Sequence, residues 1–276
     1  MRKILIIPNS IDLLGSVLEK DITGVILPMK NLSVNIDITF SLEEIKTILN
    51  MTSKEISVSI NKIMHNSDLK ELEETLVALN KMNISKIFFY DLAVLNICKR
   101  LGIKKDLVIY QEHLNTSIYS NHFWQKTGVK YAVISHDITK EEINEISSSM
   151  PLMLISYGYI PIFYSRRYLI TNYLNYIQTK KEQGHYYIKN KEDKYPIVEE
   201  EYGTTIYTKE PIDLMNEIEN IQVEYFILNS TLIEREEFLS TLDSYLKEEE
   251  DTKKHYTGFL NEKTIYRVGD KSQWKK

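Results

Sequence analysis

Two patterns alternate along the chain from end to end. Short runs of β-branched and aromatic residues are separated by longer stretches in which apolar side chains recur with helical spacing. The short runs are apolar at successive positions, as expected of strands buried on both faces. Eight of them stand out: "KILIIP" (Lys3 to Pro8), "GVILPM" (Gly24 to Met29), "EISVSIN" (Glu55 to Asn61), "KIFFYD" (Lys86 to Asp91), "LVIYQ" (Leu107 to Gln111), "YAVIS" (Tyr131 to Ser135), "LMLISYG" (Leu152 to Gly158) and "EYFILNS" (Glu224 to Ser230). Between them "SLEEIKTIL", "SDLKELEETLVALNKM", "LAVLNICKRLG", "FWQKTG", "TKEEINEISSS" and "REEFLSTLDSYLKEEE" read as amphipathic helices. Three of these open on Ser or Thr with acidic residues close behind, the pattern of a capped helix start. Eight strands alternating with helices predict an α/β fold, a (β/α)8 TIM-like barrel whose strand C-terminal ends share one mouth.

One segment breaks the alternation. "KKEQGHYYIKNKEDKYPIVEEEYGTTIYTKEP" is polar, Tyr-rich and without a helical stripe, and it is far longer than an ordinary α/β loop. It predicts a β-rich insertion over 177–210, between strands seven and eight and above the mouth. The barrel is then one domain over 1–250, followed by a C-terminal arm or tail over 251–276. The stretch "PLMLISYGYIPIFYSRRY" (Pro151 to Tyr168) is apolar but broken by Ser156, Gly158, Pro161 and Arg166–Arg167. It falls short of the ~20 apolar residues that cross a bilayer. The N-terminus has no cleavage-site pattern, so the expected location is cytoplasmic, away from any membrane.

Composition narrows the chemistry. A net charge of −5 argues against a broadly basic nucleic-acid surface, but Ser165 to Lys194 holds seven Lys or Arg against three acidic residues, with Tyr and His between them. Such a segment is either a solvated strand pair or a place for phosphates and bases. The single cysteine, Cys98, excludes an internal disulfide and any zinc or iron–sulfur site made by this chain's own thiolates.

Polar residues stand at or just past the expected strand ends: Asn61, Asp91, Gln111 with Glu112 and His113, His136 with Asp137, Tyr157 with Gly158, and Asn229. Each has a structural reading beside the functional one. Asn61, Asp91 and Asp137 precede helical segments and are equally good N-caps. Glu112 and His113 follow a strand with no helix to cap at once, and a carboxylate beside an imidazole suits acid–base work. Glu112, His113, His136 and Asp137 are therefore the catalytic candidates. Asn61, Asp91, Gln111, Tyr157, Gly158, Arg166 and Arg167 are the substrate-binding candidates, and no metal site is expected.

Several of these residues lie in blocks that resemble peptidase family U32, the collagenase-like proteins. In that family a strand ending in Asn, a helix and a strand ending in Asp match the span from Asn61 to Asp91. An Arg-Glu pair stands where this chain has His136 and Asp137. The family's block of His-Gly, a Cys, Tyr-Ser-Gly-Arg and a second Cys is matched by Tyr157-Gly158, Pro161, Tyr164-Ser165-Arg166-Arg167 and Tyr168, so both cysteines are replaced. The resemblance implies a barrel. It also implies that cluster-bearing members hydroxylate RNA bases or the ubiquinone ring, while this chain carries no cofactor of its own. On that basis the chain is expected to be the short, cluster-free subunit of a tRNA wobble-uridine hydroxylation system, similar to the paired members of low-GC Gram-positive bacteria. Its partners would be tRNA and a longer U32-family subunit carrying the iron–sulfur cluster. The alternatives are a peptidase, as the family name suggests, and a non-catalytic binding scaffold.

Overall fold

The structure, a computed structural model, describes residues 2–111, 113–181, 186–248 and 255–262. Strands β1 (Lys3–Ile7), β2 (Gly24–Pro28), β3 (Glu55–Ile60), β4 (Lys86–Phe89), β5 (Asp106–Tyr110), β6 (Tyr131–Val133) and β7 (Leu152–Gly158) each pair in parallel with the next. After β7 come β8 (Pro161–Ser165), β9 (Tyr186–Asn190), β10 (Asp193–Glu200) and β11 (Gly203–Tyr207), which form an antiparallel sheet of their own in the order β8-β11-β10-β9. The two-residue β12 (Ile212–Asp213) then pairs antiparallel with the end of β7. Finally β13 (Tyr225–Asn229) pairs in parallel with both β7 and β1 and closes the ring. The result is the eight-stranded parallel barrel that the alternation predicted.

Helices α1 (Ile11–Leu18), α2 (Leu42–Met51), α3 (Leu69–Lys81), α4 (Leu92–Leu101), α5 (Ile118–Lys126), α6 (Lys140–Ile146) and α8 (Arg235–Lys247) surround the barrel, and α7 (Leu169–Tyr176) belongs to the insertion. Two of the expected capping boxes form, Ser41 with Glu44 and Thr139 with Glu142. At α3 the N-cap is Asp68, whose carboxylate instead accepts from the His65 N–H at 2.8 Å and pairs with Lys62 at 3.2 Å. None of the described helices is long and apolar enough to cross a membrane.

Strand alternation sends one set of side chains toward the helices and the other into the barrel. Leu5, Ile26, Phe88, Val108, Val133, Met153 and Ile227 form the apolar interior. Beneath them, at the N-terminal ends of the strands, Lys86 is 2% exposed and ion-paired with Glu55. Its ammonium lies 4.6 Å from the Tyr225 ring centroid and 5.6 Å from that of Tyr131. A charged floor therefore seals the barrel below, where this fold keeps stability rather than function.

Near the mouth, β7 departs from plain alternation. Ile227 faces Ile155, but Leu228 faces Tyr157, so Ser156 is bulged out of register. One extra residue reverses the facing of everything after it. Tyr157 accordingly packs outward against Phe238 and Tyr245 rather than into the mouth. Gly158 follows with φ +133, and a Cβ there would sit 2.4 Å from the Asn229 carbonyl oxygen, so this close approach of β7 to β13 requires glycine.

The insertion also starts earlier than 177. Its sheet draws β8 from "PIFYS" (161–165), and α7 leads from β8 into the β-rich part over 177–210. Residues 182–185 of the insertion and 249–254 and 263–276 of the chain's end lie outside the described residues. Within 255–262, Leu260 is buried against the outer core and its carbonyl accepts from the Lys140 N–H at 3.0 Å.

Candidate functional site

Polar residues at the strand ends stitch each loop of the mouth to its neighbour. After β3, both polar atoms of the Asn61 amide bind the backbone of Val34, each at 2.9 Å, and so pin the loop that follows β2. After β4, Asp91 caps α4 through the Ala93 N–H at 2.9 Å, while its second oxygen takes the Met64 N–H at 3.0 Å from the loop before. After β5, Gln111 donates to the Tyr90 carbonyl at 3.1 Å. After β6, His136 reaches the Ile155 carbonyl of β7 at 3.1 Å, and Asp137 meets His113 from the β5 loop at 2.7 Å. Six of the sequence candidates thus do converge on the C-terminal end of the barrel, in one arc over β3 to β6. Glu112 lies outside the described residues.

Three candidates stand elsewhere. Tyr157 borders a polar cavity of about 450 Å³ outside the barrel, lined also by Asp213, Glu237 and His255. Arg166 and Arg167 are exposed at the turn between β8 and α7, without an ion pair among the described residues. Gly158 shapes the strand end and presents backbone only.

The antiparallel sheet lies over this arc and is fastened on two sides. On one side Thr205 of β11 donates to the Asn35 side chain at 2.5 Å, and the Glu200 carboxyl of β10 takes the backbone N–H groups of Asn35 and Ile36. Close by, Lys62, 6% exposed, stands 4.3 Å from the centroid of the Tyr202 ring. On the other side His113 Nε2 lies 2.7 Å from the carbonyl oxygen of Pro161, the first residue of β8. Sequence reading missed Lys62, Glu200 and Thr205. Lys62 directly follows Asn61 and was legible as a mouth residue by position, whereas nothing local marks Glu200 among three consecutive glutamates.

The histidines differ in what they can do. His113 faces an acceptor at each ring nitrogen, the Asp137 carboxylate and the Pro161 carbonyl. Only an imidazolium donates to both. Its hydrogen bond to Asp137 is the main reason that carboxyl is held below the ordinary range. Both nitrogens being engaged, His113 offers no lone pair for base catalysis. His136 is the opposite case: burial holds its pKa down to about 4, and its Nε2–H donates to Ile155. Its Nδ1 is buried with no hydrogen-bond partner. A neutral imidazole with an unmatched lone pair is a hydrogen-bond acceptor waiting for a donor, and a weak base at neutral pH.

A titration checks the His113–Asp137 pair. Because the folded Asp137 carboxyl is depressed, its contribution to stability is complete above the unfolded value and is lost as pH falls through the folded one. Carboxyl carbon NMR on the His113→Ala variant should show the Asp137 midpoint rising to the ordinary carboxylate range. An unmoved midpoint would refute the pairing.

The donor set does not suit a cluster. Pro161 and Tyr168, the residues that the sequence resemblance sets against two family cysteines, bring no thiolate, and the Tyr168 hydroxyl donates to the Glu201 carbonyl at 2.7 Å. Cys98 is buried in α4, where desolvation pushes its thiol up to about 12. A neutral, buried thiol is no ligand.

Comparison with known proteins agrees with the resemblance seen in the sequence. The family model described as Peptidase family U32 matches residues 11–255. The tRNA hydroxylation protein P2 of Bacillus subtilis (strain 168) is 28% identical over 195 residues, 66% of this chain and 63% of that protein. The tRNA hydroxylation protein P1 of the same organism is 24% identical over 140 residues, 49% of this chain and 33% of that protein. Both matches span less than two thirds of the relative's own length. Among solved structures a U32 peptidase superposes with a TM-score of 0.55 at 10% identity, over 84% of this chain and 93% of that one, a likeness of fold.

Proposed function

The chain belongs to peptidase family U32, and from that premise we propose that it serves as a cluster-free subunit of a tRNA wobble-uridine hydroxylation system in the cytoplasm. The observation that carries this reading is the pair of relatives, both tRNA hydroxylation proteins, matched by a chain with a single cysteine, Cys98. The iron–sulfur chemistry would come from a longer family member acting as partner. The role left to this chain is to hold RNA and present it. The peptidase reading gains nothing from the mouth: both nitrogens of His113 are taken, and His136, held neutral to about 4, faces no hydroxyl or thiol partner there among the described residues.

Mass spectrometry of tRNA nucleosides tests the proposal. Deleting the gene should remove hydroxylated uridine at the wobble position, and the purified chain, tested free of partners, should be colourless and free of iron. Unchanged modification in the deletion strain would overturn the reading. Stoichiometric iron in the isolated chain would overturn its cluster-free part.

A further inference from the structure

We propose that the outer face of α7, with the two arginines that lead into it, is a stacking platform for single-stranded RNA; the inference rests on the tRNA reading above and gives it a location. Helix α7 is fixed from beneath. Ile170 and Leu174 are buried, the Leu169 N–H donates to Thr204 of β11 at 3.0 Å, and Thr171 is bonded to Glu199 of β10. The strand below is equally firm, since a Cβ on Gly203 would meet the Ser165 carbonyl oxygen at 2.1 Å. What this packing leaves outside is Tyr173, 62% exposed, and Tyr176, 85% exposed. Three residues apart, they share one face of the helix.

Charge says what such a face would meet. Residues 165–181 contain Arg166, Arg167, Lys180 and Lys181 and no Asp or Glu, in a chain of net charge −5. The carboxylates that approach from β10 are engaged: Glu199 with Thr171 and with Lys181 at 3.2 Å, and Glu200 on the opposite face of the sheet with the backbone of Asn35 and Ile36. Arg166 and Arg167 are therefore available to phosphate. Exposed aromatic faces on a helix that two guanidinium groups lead into, without an ion pair among the described residues, suit unstacked bases and their backbone. A duplex hides its base faces and would gain only the charge contacts. The folded sheet also occupies the barrel's mouth, so an RNA loop reaches this outer platform without displacing it.

Fluorescence anisotropy with the full chain provides the test, using a labelled 17-nucleotide anticodon stem-loop (a probe length of about that size) and a fully paired control RNA of like length. Tyr173→Ala/Tyr176→Ala should weaken stem-loop binding roughly ten-fold or more while leaving the salt dependence unchanged. Arg166→Ala/Arg167→Ala should flatten the dependence of log affinity on log salt by about 1.4, two phosphates' worth on a single strand. Tyr119→Ala, removing another tyrosine that is 85% exposed, should change neither. Thermal midpoints equal to the wild type would show that the variants fold. Wild-type affinity of the double tyrosine variant, an equal loss on duplex, or loss of a co-purifying protein in place of RNA would each overturn the platform. So would a wild type that binds neither RNA while the deletion strain still lacks the modification. If instead the deletion strain keeps the modification but the tyrosine variant still loses RNA, the platform stands and the tRNA hydroxylation reading falls.

Discussion

Replacing Glu55 with Ala should lower the thermal midpoint by roughly 6–12 °C, from a loss of about 3 kcal/mol at the usual conversion for a domain of this size. The cause is not the exposed part of the carboxylate but what it neutralises. Lys86 is 2% exposed on the barrel floor, and besides Glu55 its ammonium has Ser85 Oγ at 3.1 Å and the faces of Tyr225 and Tyr131. Two ring faces and a neighbouring hydroxyl do not replace a counter-charge, and a buried cation left alone costs several kcal/mol. Glu55 is itself 35% exposed, which places the expected loss toward the low end for a buried pair. The cross-check is Glu55→Ala combined with Lys86→Met, where an apolar chain of similar length takes the same channel. That double variant should recover to within about 1 kcal/mol of the wild type. Calorimetry decides: a single variant no more than about 2 °C below wild type, or a double variant no better than the single, would refute the account.

The barrel was legible because its strands are buried on both sides, so every position had to be apolar and the runs carry sharp ends. "KILIIP" and "GVILPM" gave strands within one residue of Lys3–Ile7 and Gly24–Pro28. Helix α1 escaped notice, being eight residues long with Gly15 in its middle, too short for a clear period. Helix α7 was hidden in a tyrosine-rich stretch, and aromatic residues weigh toward strand unless tertiary contacts intervene. Here the contacts are Ile170 and Leu174 on the sheet. Tyr157 shows the other kind of failure. Counting alternate positions from Met153 and Ile155 would point it inward, and a single bulge at Ser156, invisible in the sequence, turns it onto α8.

Site reading has a similar limit. Strand-end position correctly brought Asn61, Asp91, Gln111, His113, His136 and Asp137 to one end of the barrel. Position does not say which hydrogen bonds are already spent. Asn61 uses its side chain on the backbone of the preceding loop, Asp91 divides its own between that loop and the start of α4, and His113 uses both nitrogens. Only the assembled loops reveal that His136 alone of these keeps a buried, unmatched acceptor. The residues that fasten the sheet over the mouth come from far apart in sequence, as Thr205 and Asn35 do, and no local signal pairs them.

Glu200 should make that fastening depend on pH, and Glu200→Gln should remove the dependence. Burial raises its carboxyl from the ordinary 4.5 to about 7, with the nearby Asp37 charge adding to the effect and the N–H groups of Ile36 and Asn35 opposing it. A raised carboxyl binds its proton more tightly in the folded protein than in the unfolded chain. Its stabilising contribution is therefore complete below about 4.5 and is lost as pH climbs through about 7. At pH ~8 the folded protein carries a penalty of about 3 kcal/mol for ionising this group, at roughly 1.4 kcal/mol for each tenfold change in proton affinity. The amide of Gln can still accept from one of the two N–H groups and has no charge to desolvate. The variant should thus match the wild type at pH ~5 and exceed it by about 2–3 kcal/mol at pH ~8. Hydrogen exchange in β10 and β11 should report the same difference locally, the wild type opening more readily as pH rises once intrinsic exchange rates are divided out. A variant less stable than wild type at pH ~8 would mean that the ionised carboxylate, gripped by Asn35 and Ile36, is what holds the sheet down.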